Sequence, residues 1–191
     1  MIESSETQIL DFDELYEEYG DRILNTAYKM TGGEDVARDL TQDIFIKVYE
    51  NIDSFKHEST VYTWIYRIAV NHILNYLKKK RKYDWFSLLE KSVTEVIQSE
   101  KPVFDFWGRD GFMLPDEIIE HEEREVLVWK LIQKLPSKYR VPLILQRYDQ
   151  MNLKDIASVM DLSTSAVETR VHRAKKKLLQ LMKPYEDDLR G

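Results

Sequence analysis

The stretch from Ser54 to Tyr83, SFKHESTVYTWIYRIAVNHILNYLKKKRKY, restricts the possible folds more than any other part of the chain. Its apolar residues Val61, Trp64, Ile65 and Ile68, resumed by Ile73, Leu74 and Leu77, recur at three- and four-residue steps. That spacing belongs to a helix with one buried face. The opposite face carries Arg67, Asn71, Asn75 and Lys78 before the helix runs into the basic block Lys78 to Lys82. Between Phe55 and Tyr83 there are seven Lys/Arg against one acid, Glu58.

Aromatic rings beside amides and positive charge suit unpaired nucleic acid: rings stack on exposed bases, amides read base edges, and Lys/Arg follow phosphates. The same residues also fit a plainer reading, with Trp64 and Tyr66 in a core and the lysines on a solvated helix end. Charge distribution bears on the choice. The net charge of −6 is unlike that of a DNA-binding protein until it is divided along the chain. Residues 1–53 hold 14 acids and 4 bases, and residues 84–125 hold 12 acids and 4 bases. Basic charge is therefore gathered in 55–83 and near the C-terminus, so an acidic chain can present two basic faces to a polyanion. The acidic remainder would repel DNA and is better placed against a protein.

Two helices are expected ahead of this stretch. Phe12, Leu15, Tyr16, Tyr19, Ile23, Leu24, Ala27 and Tyr28 make a helical pattern ended by Thr31-Gly32-Gly33, whose glycines permit a left-handed turn. A second pattern over about 34–51 puts Val36, Leu40, Ile44 and Val48 on one face and Asp39, Gln42, Asp43 and Lys47 on the other, with Phe45 and Tyr49 between. An exposed Phe45 among carboxylates points weakly to a binding surface. The expected fold class is all-α: two small helical domains, over 10–83 and 116–183, joined by a partly irregular linker over 84–115. Pro102, Gly108, Gly111 and Pro115 break any long helix in that linker, which is rich in aromatics such as Trp85, Phe86, Phe104 and Trp107.

The second domain opens with a pattern from Asp116 to Leu135 and continues past Pro136. Pro142 inside the next helix removes a donor and crowds the preceding turn, so that helix is expected to start late or to kink. Leu153, Ile156, Ala157 and Met160 then form a short amphipathic helix, followed by Asp161-Leu162-Ser163 and a helix burying Val167, Val171, Ala174 and Leu178. Support helix, tight turn and second helix are the layout of a helix-turn-helix. Ser163 is the expected N-cap. From Thr164 to Lys183 six Lys/Arg stand against Glu168 alone. Histidines 57, 72, 121 and 172 lack metal-ligand spacing, and neither a phosphate loop nor a nucleophile motif is present. Neither an enzyme nor a cofactor is expected. With no cysteine and no apolar run near the ~20 residues of a membrane span, a cytoplasmic protein without membrane insertion is expected.

Together these residues closely resemble the extracytoplasmic-function (ECF, group 4) sigma factors, promoter-recognition subunits of bacterial RNA polymerase. The motif DLTQDIF, with Asp39, Gln42, Asp43 and Phe45, is similar to the family's core-binding motif and implies contacts to the beta and beta-prime subunits. Phe55 and the run from Tyr62 to Asn71 resemble the segment that melts and reads the −10 element. That implies Asn71 hydrogen-bonding a flipped base, the Phe55–Ser59 loop (with Lys56 and His57) walling its pocket, Trp64 and Tyr66 near the strand opening, and Asn75 close by. It further implies Arg67, Lys78 and Lys79 on phosphates. The helix-turn-helix resembles the region that binds the −35 element as duplex, with Ser163, Thr164, Ser165, Glu168, Thr169, Arg170, His172, Arg173 and Lys176 as candidate contacts. Glu168 stands where the family usually has Lys or Arg, and Ser165 where it often has Gly. Glu168 either accepts from a cytosine amino group or weakens duplex binding. Family members are commonly held inactive by an anti-sigma factor. The alternative to a sigma factor is a stand-alone helix-turn-helix regulator acting on duplex DNA.

Overall fold

A computed structural model describes residues 10–90 and 117–185, with side chains over 10–81 and 125–185. Seven α-helices and no strand occur among the described residues: α1 Phe12–Thr31, α2 Glu34–Asn51, α3 Val61–Glu90, α4 Glu117–Gln133, α5 Ser137–Arg147, α6 Leu153–Met160 and α7 Thr164–Met182. The expectations for the aromatic linker from Pro102 to Pro115 lie outside the described residues.

Local chemistry sets the helix ends. The Asp11 carboxylate accepts from the backbone N–H of Asp13 and Glu14, satisfying two donors that open α1. Gly32 closes α1 at φ 83°, the left-handed turn expected of it, and its N–H donates to the Tyr28 carbonyl. Gly33 begins α2 in extended backbone, and Glu34 and Asp35 put negative charge at the positive end of the helix dipole. Thr60 precedes α3, its hydroxyl accepting from the Thr63 N–H at 3.2 Å.

Helix α3 continues to Glu90, into the stretch expected as a partly irregular linker. The reason is simple: from Asp84 to Glu90 there is neither Gly nor Pro to stop it. Helix α5 begins at Ser137 directly after Pro136 and continues through Pro142, so it does not start late. Pro142 leaves the Lys138 carbonyl without its usual i+4 donor, and the proline ring is buried in the core.

Helices α1, α2 and α3 enclose Ile23, Ala27, Met30, Ile44, Val48, Ile65 and Ile73, all without exposed surface. Helices α4 to α7 enclose Ile132, Ile144, Leu145, Ile156, Val167 and Ala174. Each large aliphatic side chain so buried contributes about 1.5–3 kcal/mol. The two bundles touch, with α3 packed on α6 and α1 on α5, and their buried residues form one continuous apolar cluster. Tyr28 of α1 stacks on Trp129 of α4 with ring centres 5.5 Å apart.

The helix-turn-helix is built as expected. Asn152 caps α6 by accepting from the Lys154 and Asp155 N–H groups. Asp161 ends it in the left-handed region at φ 52°, and the Leu162 N–H returns to the Ala157 carbonyl at 2.9 Å. Asp tolerates that conformation better than most residues, which lets the chain turn without a glycine. The Ser163 hydroxyl then accepts from the Ala166 N–H and starts α7.

Candidate nucleic-acid interface and docking face

Helix α2 divides its two faces between core and solvent. Asp39, Gln42 and Asp43 are exposed, as a docking role requires. Phe45 is not: it is 3% exposed, beneath Tyr16 (ring centres 4.9 Å) and beside Phe12 (6.3 Å). This corrects the expectation of an exposed phenylalanine, because α1 lies across that side of α2 and covers the ring. The apolar residues that do reach solvent beside the acids are Tyr16 (53%), Ile46 (56%) and Tyr49 (65%). Reading Tyr16 and Ile46 as surface residues needs the α1–α2 packing angle, which helical periodicity alone does not contain.

Between α2 and α3 lies an open cleft of about 310 Å³, lined by Lys47, Asn51, Ser54, Trp64, Ile68, Asn71, His72 and Asn75. Asn71 and Asn75 are exposed one turn apart on α3, while Trp64 and Ile68 are half-buried and form an apolar wall. Phe55 from the preceding loop rests on Trp64 with ring centres 5.1 Å apart and on His57 at 4.6 Å. His57 itself adopts φ 55°, turning the loop back toward α3. The His72 ring nitrogen Nε2 lies 3.2 Å from Asp43, tying the cleft to the acidic face. The Asn51 amide donates to the Lys47 carbonyl at 2.7 Å. Lys56 is exposed in the loop, and Lys78 and Lys79 are exposed farther along α3.

Two of the residues expected on this surface are engaged elsewhere. Tyr66 has no exposed surface, and its hydroxyl donates to Asp149 at 2.9 Å. Burial and the adjacent Asp149 carboxylate push its phenol far above the ordinary value. It therefore lies in the seam between the bundles rather than in the cleft, because α6 covers that side of α3. Arg67 is exposed but its guanidinium donates to the Ser158 carbonyl (3.1 Å) and hydroxyl (2.7 Å). Lys47, Asn51, Ser54, Ile68 and His72 also line the cleft, though the sequence assigns none of them to it. Lys47 and Asn51 do sit one turn apart at the end of α2, a signal that gains meaning only once α3 is laid beside it.

On α7, Ser163, Thr164, Ser165, Glu168, Thr169, His172, Arg173 and Lys176 are exposed and Arg170 is half-buried. They form one solvent face, opposite Val167, Val171 and Ala174. Tyr139 of α5 was not anticipated there; the Arg173 guanidinium beside it, helped by Lys138, lowers its phenol pKa. Among the described residues no cluster of His, Asp and Glu could hold a metal, and no helix is long and apolar enough to cross a membrane.

Comparison with known proteins agrees with this arrangement. Residues 15–83 match the model of sigma-70 region 2, and residues 125–178 match that of sigma-70 region 4. The chain is 32% identical over 167 residues to the ECF RNA polymerase sigma factor SigW of Bacillus subtilis, covering 87% of this chain and 86% of that one. It is 30% identical to the RNA polymerase sigma-H factor of Pseudomonas aeruginosa, covering 91% and 86%. In fold it is similar to the sigma factor RpoE in complex with the anti-sigma factor NepR from Bartonella quintana (TM-score 0.64, 21% identity, 91% and 97% covered). It is also similar to CnrH in complex with the cytosolic domain of CnrY (TM-score 0.60, 20% identity, 91% and 88% covered). A region-2 match over the first bundle disfavours a stand-alone regulator, in which that bundle would be a dimerisation or sensory domain. With region 2 followed by region 4 on one all-α chain, the protein belongs to the ECF family of RNA polymerase sigma factors.

Proposed function

We propose that the chain works as follows when it directs core RNA polymerase to a promoter. The α2 face of Asp39, Gln42 and Asp43, with Tyr16, Ile46 and Tyr49 as apolar anchors, docks on the core enzyme. The cleft between α2 and α3 takes a base flipped from the non-template strand of the −10 element. Asn71 and Asn75 present donors and acceptors to the base edge, Trp64 and Ile68 cover its face, and the Phe55–His57 corner closes one side. Unstacking a base costs a few kcal/mol, which an apolar and hydrogen-bonded pocket can offset. Lys78 and Lys79 follow the phosphates beyond the cleft. Helix α7 enters the major groove of the −35 element, with Arg173 suited to guanine and Lys176 to phosphate. The two DNA readers work as a polymerase subunit in the cytoplasm, without a reaction of their own, and an anti-sigma factor is the partner that would silence them.

One observation carries this reading. The Asn71 and Asn75 amides stand open to solvent beside the Trp64 ring, in a cleft whose other wall is the acidic helix α2. A nucleotide can reach them, as it could not in a sealed core. Purified core polymerase plus this protein should initiate transcription at discrete sites on a genomic template set. Initiation no higher than with core enzyme alone would refute the proposal.

A further inference from the structure

Helix α7 carries one charge of the wrong sign for a polyanion. Between Thr164 and Met182 it holds Arg170, Arg173, Lys175, Lys176 and Lys177, and Glu168 is its sole acid. The spacing explains why its own helix does not neutralise that acid. Thr164, Ser165, Val171 and His172 stand three and four residues away, so no Lys or Arg lies one turn from Glu168. The side chain is exposed, and among the described residues its carboxylate makes no ion pair and no hydrogen bond.

Its place on α7 gives this free acid a role. At 3.6 residues per turn, Glu168 and Arg173 fall on either side of the exposed row Ser165, Thr169, His172 and Lys176, with Val167, Val171 and Ala174 behind. Glu168 is the fifth residue of the helix, in the part that meets base edges when such a helix lies in the major groove. A bare carboxylate there is costly. Phosphates along both walls of the groove repel it, and the water it gives up is offset only by a hydrogen-bond donor. Cytosine shows its N4 amino group in the major groove and adenine its N6 amino group, whereas guanine and thymine show acceptors there and no donor. Adenine sets the N7 lone pair beside its amino group, which a carboxylate avoids; cytosine has no acceptor at that edge.

We propose that Glu168 is a specificity-determining residue, accepting a hydrogen bond from the N4 amino group of one cytosine in the upstream element and rejecting other bases at that position. This rests on the reading of α7 as the −35 helix and deepens it. Facing guanine or thymine, the carboxylate is left unpaired against another acceptor, so the choice comes from a penalty as much as from an attraction. Lys175, Lys176 and Lys177 attract any duplex alike, which keeps the helix on DNA despite the acid.

The test uses holoenzyme formed from core polymerase and the full chain, selecting among duplex promoters randomised across the upstream element. Wild type should enrich cytosine over guanine and thymine about ten-fold at one upstream position. Glu168→Ala, a change at an exposed side chain, should lose that enrichment at that position alone and hold unselected duplex several-fold more strongly. Glu168→Gln should exchange cytosine for adenine there, because a carboxamide pairs with adenine N6 and N7 together. An enrichment profile unchanged in Glu168→Ala, whether or not affinity rises evenly for every sequence, would overturn the proposal. Cytosine kept in full by Glu168→Gln would overturn it as well. Wild-type holoenzyme that initiates but enriches no base at any upstream position would instead overturn the −35 reading of α7.

Discussion

Asn71 and Arg173 separate the two DNA-reading roles at the scale of single residues. Asn71→Ala removes an exposed amide from the cleft without disturbing buried packing. It should reduce strand opening, read by permanganate reactivity of −10 thymines, while polymerase retention stays unchanged. Equal opening by the variant would remove Asn71 from the site. Arg173→Ala should weaken binding to a −35 duplex by roughly 1–3 kcal/mol if the guanidinium reads a base, and relax preference at that position. Titration against single-base variants of the duplex checks this. Asn71 and Asn75 were legible as surface residues because they recur at four-residue steps opposite the apolar stripe. Phe45 and Tyr66 were not legible in the same way. Phe45 follows the carboxylate of Asp43 by two residues and Tyr66 precedes Arg67, yet α1 covers one and α6 the other. Which arc of a helix is covered depends on its neighbours, and a second covering helix widens the arc beyond what one stripe predicts.

At the scale of elements, the helix ends and the helix-turn-helix were the most readable features, because each rests on a local rule. Gly32 supplies a left-handed stop, Ser163 a hydroxyl cap, and the Asp161–Ser163 turn needs no distant residue. The exposed anchors of α1 and α2 emerge only from their pairing. Tyr49→Ala, 65% exposed but packed edge-on to Phe12 at 5.3 Å, should lower affinity for core polymerase severalfold while leaving duplex binding by α7 intact. Polymerase retention compared with −35 duplex titration tests that separation. The α5–α6 turn makes a pH prediction. Burial pushes the Asp149 carboxyl above the ordinary aspartate value, opposed by hydrogen bonds from Thr26 and Tyr66 and by the charges of Lys29 and Arg22. Folding therefore takes up a proton at Asp149, and the folded state gains stability as pH falls from neutral and loses that gain as pH rises through the elevated pKa. Tyr62 and Tyr66, whose phenols are raised, stay neutral across that window. Asp149→Asn should flatten the pH dependence of the melting temperature, followed by circular dichroism.

For the whole molecule, the two sigma regions share one apolar cluster while being joined by a seam whose polar groups are only partly satisfied. The sequence showed two helical patterns separated by Pro and Gly and so implied two independent bundles. It held no signal for the seam, because Asp149 lies 83 residues from Tyr66 and 123 from Thr26, and none of the three is unusual by itself. A continuous core makes unfolding cooperative, since opening either bundle exposes apolar surface of the other. Free wild type should therefore melt in a single transition seen alike by far-ultraviolet circular dichroism and by tryptophan fluorescence. Asp149→Ala leaves the Thr26 and Tyr66 hydroxyls unpaired in the seam and should divide the melt in two, the less stable part losing first the stacking of Tyr28 on Trp129. A wild-type melt already in two steps, or an Asp149→Ala melt still single at the wild-type temperature, would mean that apolar contact alone holds the bundles together.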